Sequence, residues 1–319
     1  MSKSNKVIIT GGAGLLGSAV THQLVESGEC LPVVVGRSDD PKRIRDIMDD
    51  VIYEQGDVGD PQTLERLIDT HRPEKIYHFA TVLGDACETQ VDLATKVNVD
   101  GFIHLLDMVR KYEVRQLLFS SSMTTFAEGL ASRTIDDRCL QRPGSYYGVT
   151  KLFQEGAGRF FRKKHGVDFR AIRYPAIIGP GSRAGGFVGY TSDIINYALE
   201  GKPYTVKFEP DMRLPLLHTK DAARAIIDLG KAPMESIREV CYLINGVSNP
   251  PTAGDLAEMV KAKIPQAQTT FEADPEWQRV LEASALLIDD RYARNEWGWE
   301  PSFDTYDKII DDLIEASSH

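Results

Sequence analysis

The sequence predicts an α/β fold in which a doubly wound parallel sheet is joined to a smaller α+β lobe. Three observations lead to this fold class. Short apolar runs alternate with amphipathic stretches through the first half of the chain, which is typical of strand–helix–strand units. A glycine-rich turn joins the first apolar run to the first amphipathic stretch. The 319 residues are enough for such a core together with a second lobe.

The predicted elements of the first half follow one another in regular order. Helices are predicted at residues 13–27, 61–71, 91–112 and 145–165, where apolar positions recur at helical spacing. Gly28 ends the first helix, and Gly36 ends the second strand. Parallel strands linked by such crossover helices form a Rossmann-like sheet. The predicted strands are residues 7–9, 31–35, 51–54, 75–79, 116–119 and 169–173.

After about residue 178 the regular alternation ends. Glycine and proline cluster at residues 179–181 and 185–186, and the last third mixes helices with short strands such as residues 240–244. We therefore expect residues 1–178 plus about 214–246 to form the sheet-bearing domain. Residues 179–213 plus 247–319 are expected to form the substrate lobe.

The composition excludes several classes of partner. A net charge of −10 argues against nucleic acid and against an anionic membrane surface, since both are bound by basic faces. No apolar run approaches the roughly 18 residues of a membrane helix, and the N-terminal residues do not resemble a signal peptide. The 4 cysteines and 7 histidines show no metal-ligand spacing, so we expect no metal and a reducing, cytoplasmic location.

The glycine-rich turn has the spacing of a phosphate-binding loop. Gly11, Gly14 and Gly17 lie between the first strand and the first helix, in the pattern G-x-x-G-x-x-G. Glycine allows a sharp turn and a close approach of the backbone to a pyrophosphate. The first helix, with Leu15 and Leu16 near its start, offers unpaired N–H groups and the positive end of its dipole. The first domain is therefore predicted to bind a dinucleotide.

Tyr147 and Lys151 form the sharpest motif in the chain. They are four residues apart on a predicted helix, so they share a face. A nearby ammonium group lowers the pKa of a tyrosine and makes it an acid or base for an alcohol or a carbonyl group. Ser122 is the last of three serines that end a predicted strand, where a rigidly held hydroxyl group can polarise the reacting oxygen.

The glycine spacing, the serine run and the Tyr-x-x-x-Lys motif together resemble the extended short-chain dehydrogenase/reductase (NAD-dependent epimerase/dehydratase) family. This resemblance implies that Ser122, Tyr147 and Lys151 are catalytic, with Lys151 also contacting the cofactor ribose. It implies that Asp57 and Val58 receive the adenine; the alternative for Asp57 is a turn aspartate. The other cofactor-binding residues that it implies are Phe79, Ala80, Thr81, Asn98, Ser120, Tyr174 and Pro175.

The end of the second predicted strand bears on the choice between NAD and NADP. An NAD site usually has an acidic residue at this position, whereas the chain has Arg37, which can accept a 2′-phosphate. Arg37 therefore favours NADP. The alternative is that Arg37 is solvated and that Asp39 or Asp40 binds the ribose.

Within the family, several stretches resemble the short-chain L-threonine 3-dehydrogenases. These are residues 139–143, 147–151, 168–175, 213–217 and 297–299. The differences fall where substrate and cofactor are recognised: Gly84 replaces a usual serine, Asp85 is an added acid, and His218 replaces a usual tyrosine. The segment of residues 185–193 is two residues longer than in that group. The candidate substrate residues are Gly84, Asp85, Arg183, Thr191, Asp193 and Arg213, of which the arginines suit a carboxylate or phosphate group.

Three functions are compatible with these motifs. The first is an NAD(P)-dependent oxidoreductase that acts on a secondary alcohol or ketone of a small polar substrate, such as an L-threonine-like amino acid, a hydroxy acid or a sugar derivative. The second is a nucleotide-sugar epimerase or dehydratase with tightly bound NAD, which Gly179-Pro180-Gly181 would suit. The third is a non-enzymatic sensor on the same fold. The family resemblance further implies a homodimer through the helices at residues 91–112 and 145–165.

Overall fold

The computed structural model describes residues 5–182, 188–275, 277–279 and 287–317. Its strands are β1 (Lys6–Thr10), β2 (Leu31–Gly36), β3 (Ile52–Gln55), β4 (Lys75–His78), β5 (Gln116–Ser122), β6 (Thr134–Ile135), β7 (Asp168–Tyr174), β8 (Ala176–Ile178), β9 (Tyr204–Val206), β10 (Leu216–His218), β11 (Cys241–Leu243), β12 (Thr269–Phe271) and β13 (Leu287–Ile288).

The helices of the described residues are α1 (Leu15–Ser27), α2 (Pro61–His71), α3 (Asp85–Thr89), α4 (Val91–Ala94), α5 (Gly101–Lys111), α6 (Tyr146–His165), α7 (Tyr190–Leu199), α8 (Thr219–Lys231), α9 (Ala253–Lys263), α10 (Arg291–Trp297) and α11 (Tyr306–Ser317). Each of them is too short or too polar to cross a membrane.

The order of the strands creates the crevice that carries the site. Within the described ranges, seven strands form one sheet in the order β11-β7-β5-β4-β1-β2-β3. Strand β1 pairs in parallel with β2 on one side and with β4 on the other. Successive strands are added on one side of β1 as far as β3 and on its other side from β4 onward, so the order reverses between β1 and β4. In such sheets ligands bind at the carboxyl ends of the strands beside this switch point. The predicted Rossmann-like sheet is confirmed.

The helix that carries the Tyr-x-x-x-Lys motif begins and ends at residues suited to those positions. The Ser145 hydroxyl accepts a hydrogen bond from Gly148 N at 3.1 Å, so it satisfies one unpaired N–H group of the first turn of α6. Gly166 ends the helix with φ of 72°, in the left-handed region that glycine occupies without strain. The predicted helix at residues 145–165 agrees with α6 to within one residue.

The single helix predicted at residues 91–112 is interrupted. Helix α4 is followed by a wider, π-type turn at Thr95–Asp100 before α5 begins. A π-type turn contains an extra residue, which rotates the side chains that follow it around the helix axis. Asn98 lies within this turn and is fully buried. Hydrophobic periodicity did not reveal the turn, because one polar side chain that bonds outside the helix does not change the pattern of apolar residues.

The chain divides into two compact units, each with its own core. The first unit comprises residues 1–125, 145–173 and 223–242, and the second comprises residues 126–144, 174–222 and 243–319. The core of the first unit packs β1, β2, β4 and β5 against α2 and α5, and it includes Ile8, Phe102 and Phe119. The core of the second unit joins α7, α9 and α11 through residues such as Ile195 and Ile309.

Candidate active site

The glycine turn between β1 and α1 is packed too tightly for side chains. Gly11 has φ of 68°, and a Cβ atom there would lie 2.8 Å from Ala80 N. At Gly17 a Cβ atom would lie 2.2 Å from Gly11 O, which no side chain tolerates. Gly14, at the start of α1, supplies no side-chain cap to the helix. The turn therefore forms a bare backbone surface at a helix N-terminus, which fits a pyrophosphate. The neighbouring Leu15 and Leu16 form the first turn of this helix.

The end of β4 is tied to the end of β1 beside this turn. Phe79 N donates to Thr10 O at 3.0 Å, and the Thr10 hydroxyl is hydrogen-bonded to His78 Nδ1 at 2.8 Å. Burial and the charge of Lys151 lower the pKa of His78 to about 3, so His78 stays neutral. Phe79 and Ala80 thus continue the strand end as a fixed wall, with His78 as a packed structural residue.

Asn98 holds the segment that follows β4. Its side-chain oxygen accepts from Val82 N at 2.8 Å and from the Thr81 hydroxyl at 3.1 Å. Its amide nitrogen donates to Val82 O at 3.0 Å and to the Thr150 hydroxyl on α6 at 3.3 Å. A single buried amide therefore joins the segment after β4 to the helix of Tyr147.

Ser122, Tyr147 and Lys151 come together at the ends of β5 and α6. Lys151 Nζ lies 5.4 Å from the centre of the Tyr147 ring and 4.6 Å from that of Phe119. The same ammonium group donates to Ser120 O at 2.8 Å, so β5 holds its position. The side chain of Ser122 lies close enough to that of Tyr147 to lower the pKa of the tyrosine. The three side chains expected to act together are thus neighbours.

The pKa of Tyr147 moves in the direction opposite to that expected from the sequence. Burial raises it well above its usual range, the neighbouring Cys87 raises it further, and the hydrogen bond from Ser122 lowers it. Burial also lowers the pKa of Lys151 to about 7, against the attraction of Cys87 and Glu155. The expected lowering of the Tyr147 pKa by Lys151 is wrong, because burial removes both groups from water and so disfavours the charged form of each.

Two sets of contacts around the catalytic side chains were not predicted from the sequence. Thr124 donates to Ser122 Oγ through its N–H group at 3.2 Å and through its hydroxyl group at 3.0 Å. Ser121 donates to Glu155 at 2.6 Å, and Glu155 also accepts from Arg173 at 2.7 Å in a buried cluster. A second hydroxyl residue two positions after Ser122 is a signal that the sequence does contain. The Glu155–Arg173 pair has no such local signal.

Glu88 caps the catalytic helix from another element. The carboxylate of this residue, in α3, accepts from Tyr146 N at 3.0 Å and from Tyr147 N at 3.1 Å. These are N–H groups of the first turn of α6, where negative charge is favourable. Helix α3 begins at Asp85, next to Gly84, and both of these candidate substrate residues are exposed. The predicted substrate wall is therefore joined to the main chain of Tyr147.

At the end of β2, the groups proposed for the ribose differ in their contacts. Arg37 is exposed and its carbonyl oxygen accepts from Gln55 Nε2 at 2.9 Å. Asp40 forms an ion pair with Arg45 at 2.6 Å, and this contact is the main cause that lowers the pKa of Asp40. Asp57 Oδ1 accepts from Gly59 N at 2.9 Å, so the aspartate does occupy a turn, and the adjacent Val58 is buried.

The other predicted site residues belong to the second unit. Tyr174 is buried and donates to Ala222 O at 3.0 Å, and Pro175 follows it in a buried position. Thr191 is buried, and its hydroxyl donates to Val188 O at 2.8 Å within the start of α7. Burial is the main cause that raises the pKa of Tyr204, and the charge of Asp193 raises it further. Arg213 donates to Asn249 at 3.1 Å. Arg183 lies outside the described residues.

Comparison with known proteins identifies the family. The sequence profile of the NAD dependent epimerase/dehydratase family matches residues 7–239, a range that contains the glycine turn, Ser122 and the Tyr147–Lys151 pair. The chain belongs to this family. It is accordingly an NAD(P)-dependent short-chain dehydrogenase/reductase, an oxidoreductase that acts on an alcohol. The resemblance noted from the motifs is confirmed.

Relatives within the epimerase/dehydratase family extend over nearly the whole chain. The mitochondrial L-threonine 3-dehydrogenase of Bos taurus is 31% identical over 94% of this chain and 79% of its own length. The L-threonine dehydrogenase structure from Clostridium difficile has a TM-score of 0.88 at 26% identity, covering 98% of each chain. A monomeric L-threonine 3-dehydrogenase from a metagenome has a TM-score of 0.87 at 26% identity, again with 98% of each chain covered.

Proposed function

We propose that the protein is a dehydrogenase that oxidises the secondary alcohol of a small hydroxy amino acid of the L-threonine type, or reduces the corresponding ketone. The observation that carries this proposal is the grouping of Ser122, Tyr147 and Lys151 in the compact unit that also contains the glycine turn. The bound nicotinamide would supply the acceptance or return of a hydride. Its pyrophosphate would be held by the turn at Gly11, Gly14 and Gly17, within the domain that we assign to dinucleotide binding.

The chain's own residues would manage the proton. Tyr147, as phenolate, would take the proton of the substrate hydroxyl during oxidation and return it during reduction. The Ser122 hydroxyl favours the phenolate before substrate binds, and once substrate is bound its single proton would be donated to the reacting oxygen instead. Lys151, held by Ser120 O, would attract the phenolate when protonated and bind ribose hydroxyls.

The proposed substrate class follows from the charges of the candidate substrate residues. Asp85 is exposed at the start of α3 and suits an ammonium group. Arg213 has five N–H donors, and its contact with Asn249 steadies a guanidinium group suited to a carboxylate. Relatives named L-threonine 3-dehydrogenase support the same substrate class. We include Thr191 and Asp193 in this proposed substrate set.

For the cofactor we propose NADP in preference to NAD. Arg37 is exposed at the end of β2, so it is available to a 2′-phosphate. Asp40, one of the two alternatives for the ribose, is instead paired with Arg45. Asp57 and Val58 would receive the adenine.

We also propose that the enzyme is a cytoplasmic homodimer. Its four cysteines are thiols, the state that a reducing compartment maintains. Val149, Phe153 and Phe160 are exposed on α6 at spacings of one helical face, and Phe160 is 57% exposed. An apolar stripe of this kind is typical of a surface that is covered by a second copy.

Turnover by the purified protein tests the proposed reaction. We expect reduced nicotinamide to form from NADP⁺ or NAD⁺ with L-threonine or a related hydroxy acid, measured by its absorbance. Tyr147→Phe should lower kcat by about 10²- to 10⁴-fold, because the proton acceptor is lost. The matched control is Tyr146→Phe, since Tyr146 is the neighbouring residue and its hydroxyl is bonded to Thr95.

Two results would overturn this proposal. Full turnover by Tyr147→Phe would remove Tyr147 from the chemistry. Conversion of a sugar nucleotide to its epimer, without net reduction of the cofactor, would establish the epimerase reading, which the Gly179-Pro180-Gly181 turn after β8 favours.

A further inference from the structure

The hydroxyl group of Ser122 has an unusually complete set of hydrogen-bond partners. Thr124 N and Thr124 Oγ1 both donate to Ser122 Oγ, at 3.2 and 3.0 Å. A serine hydroxyl has two acceptor lone pairs and a single proton. Both lone pairs are therefore engaged by the same neighbouring residue. The Ser122 proton is left as the only part of the group that can bond elsewhere.

We propose that Thr124 is a positioning residue, which fixes the direction of the Ser122 hydroxyl so that its proton points to Tyr147 and to the reacting oxygen of the substrate. This inference rests on the proposed function and deepens it. A donor aimed in advance at the developing negative charge needs no reorganisation during the reaction.

The local backbone makes this arrangement rigid. Met123–Thr125 forms a single tight helical turn directly after β5. The fully buried Thr125 donates its hydroxyl to Ser122 O at 3.1 Å, which fixes the main chain on the other side of the serine. Ser122 itself is only 9% exposed, so bulk water does not compete freely for its lone pairs. Thr124 can therefore impose one orientation on the hydroxyl group.

The effect on Tyr147 follows from the direction of the bond. A hydrogen bond that lowers the pKa of a tyrosine is one that is donated to the phenolate oxygen. The titratable groups around Tyr147 are Cys87, the Lys151 ammonium group and the Glu88 carboxylate, which accepts from Tyr147 N. Thr124 carries no charge, so its substitution leaves all of these charges unchanged.

Thr124→Val tests the proposal, because valine has nearly the shape of threonine but no hydroxyl group. One lone pair of Ser122 then becomes free to accept from Tyr147, which stabilises the neutral tyrosine. We expect kcat for alcohol oxidation to fall about 3- to 10-fold, the worth of one hydrogen bond, with KM little changed. The rising, acidic limb of the pH–rate profile for oxidation, where Tyr147 must lose its proton, should move about half to one unit higher. Thr124→Ser restores the hydroxyl and should restore both values.

A second measurement does not depend on turnover. Tyrosinate absorbance in a pH titration, taken as the difference between each protein and its Tyr147→Phe counterpart, reports on Tyr147 alone. Ionisation of Tyr147 should begin at higher pH in Thr124→Val than in the wild type or in Thr124→Ser. Thermal unfolding checks that the variants are folded.

The outcomes separate this inference from the proposed function. If Tyr147→Phe is inactive while Thr124→Val has the wild-type kcat and pH profile, the role of Thr124 is refuted and the function stands. If Tyr147→Phe remains active, the proposed function fails and the role of Thr124 fails with it. If valine and serine at position 124 are equally impaired, the side-chain hydroxyl is not the cause and the inference is again overturned.

Discussion

At the scale of single residues, the site is built from groups whose charged forms are disfavoured by burial. Lys151 is 1% exposed and its pKa is lowered to about 7, because burial outweighs the attraction of Cys87 and Glu155. Unfolded lysine titrates near 10.5. Between these two values the unfolded chain binds more protons at this residue than the folded chain does. The contribution of Lys151 to stability therefore rises with pH across this window.

This reasoning predicts that Lys151→Met inactivates the enzyme and stabilises it at pH 8. Folding at pH 8 must remove the proton of Lys151, which disfavours folding by about 3 kcal/mol, whereas methionine needs no such step. The variant loses the bond to Ser120 O, worth about 1 kcal/mol. The free energy of unfolding should thus rise by about 2 kcal/mol at pH 8, and the gain should be lost by about pH 10.

Urea unfolding at the two pH values measures this effect. Lys163→Met is the matched control, since Lys163 lies on the same helix but is exposed, and it should change little at either pH. A Lys151→Met variant that is less stable than the wild type at pH 8 would show that burial of Lys151 does not disfavour folding at that pH.

The residues themselves were predictable to different degrees. The sequence reveals Tyr147 and Lys151 because four residues on a helix define a face, and it reveals Ser122 from its position at a strand end. It does not reveal the direction of the Tyr147 pKa, which depends on burial by elements far apart in the chain. The Glu155–Arg173 ion pair was not predicted either, because its two residues lie on different elements, α6 and β7.

At the scale of elements, the carboxylate of Glu88 joins α3 to α6. Two main-chain N–H groups of α6, those of Tyr146 and Tyr147, donate to it. Ser145 caps a third N–H group of the same turn. The sequence does contain the Ser145 signal, because a capping residue lies next to the helix that it begins. Glu88 contacts residues 58 and 59 positions away, so no local pattern could predict it.

We predict that Glu88→Ala lowers kcat about 2- to 10-fold, the effect of losing capping bonds at the residue that carries the proton. Glu88→Gln keeps one acceptor oxygen without the charge, and its kcat should lie between those of Glu88→Ala and the wild type. Steady-state kinetics with the substrate identified by the turnover assay measure both variants.

Glu65→Ala is the control, because Glu65 is an exposed carboxylate paired with Lys111 on the surface of the same unit. It should leave kcat unchanged. An equal loss in Glu65→Ala and Glu88→Ala, or none in either, would mean that the contact with α6 does not position Tyr147.

At the scale of the whole molecule, the alternation of apolar runs and helices was sufficient to predict the doubly wound sheet. Each run of β1, β2, β4 and β5 is buried on both faces, and this is visible as a continuous apolar segment. The short pairs β8–β10 and β9–β12 have strands of three residues, which carry too little periodicity to be predicted. The association of whole chains is harder still to predict from the sequence, because it depends on apolar side chains being exposed, and the apolar pattern of one chain does not show which of them are.

The stripe of Val149, Phe153 and Phe160 on α6 provides a test of that association. We predict that sedimentation gives the mass of two chains for the wild type and of one chain for Phe153→Glu/Phe160→Glu, because a buried carboxylate in an apolar interface disfavours the dimer. Met234→Glu, at an exposed residue that is not part of α6, should remain dimeric. A wild-type mass of one chain would contradict the dimer and make the protein resemble its monomeric metagenome relative in this respect. The stripe would then be an exposed apolar surface, and the catalytic helix would need no partner to hold its position.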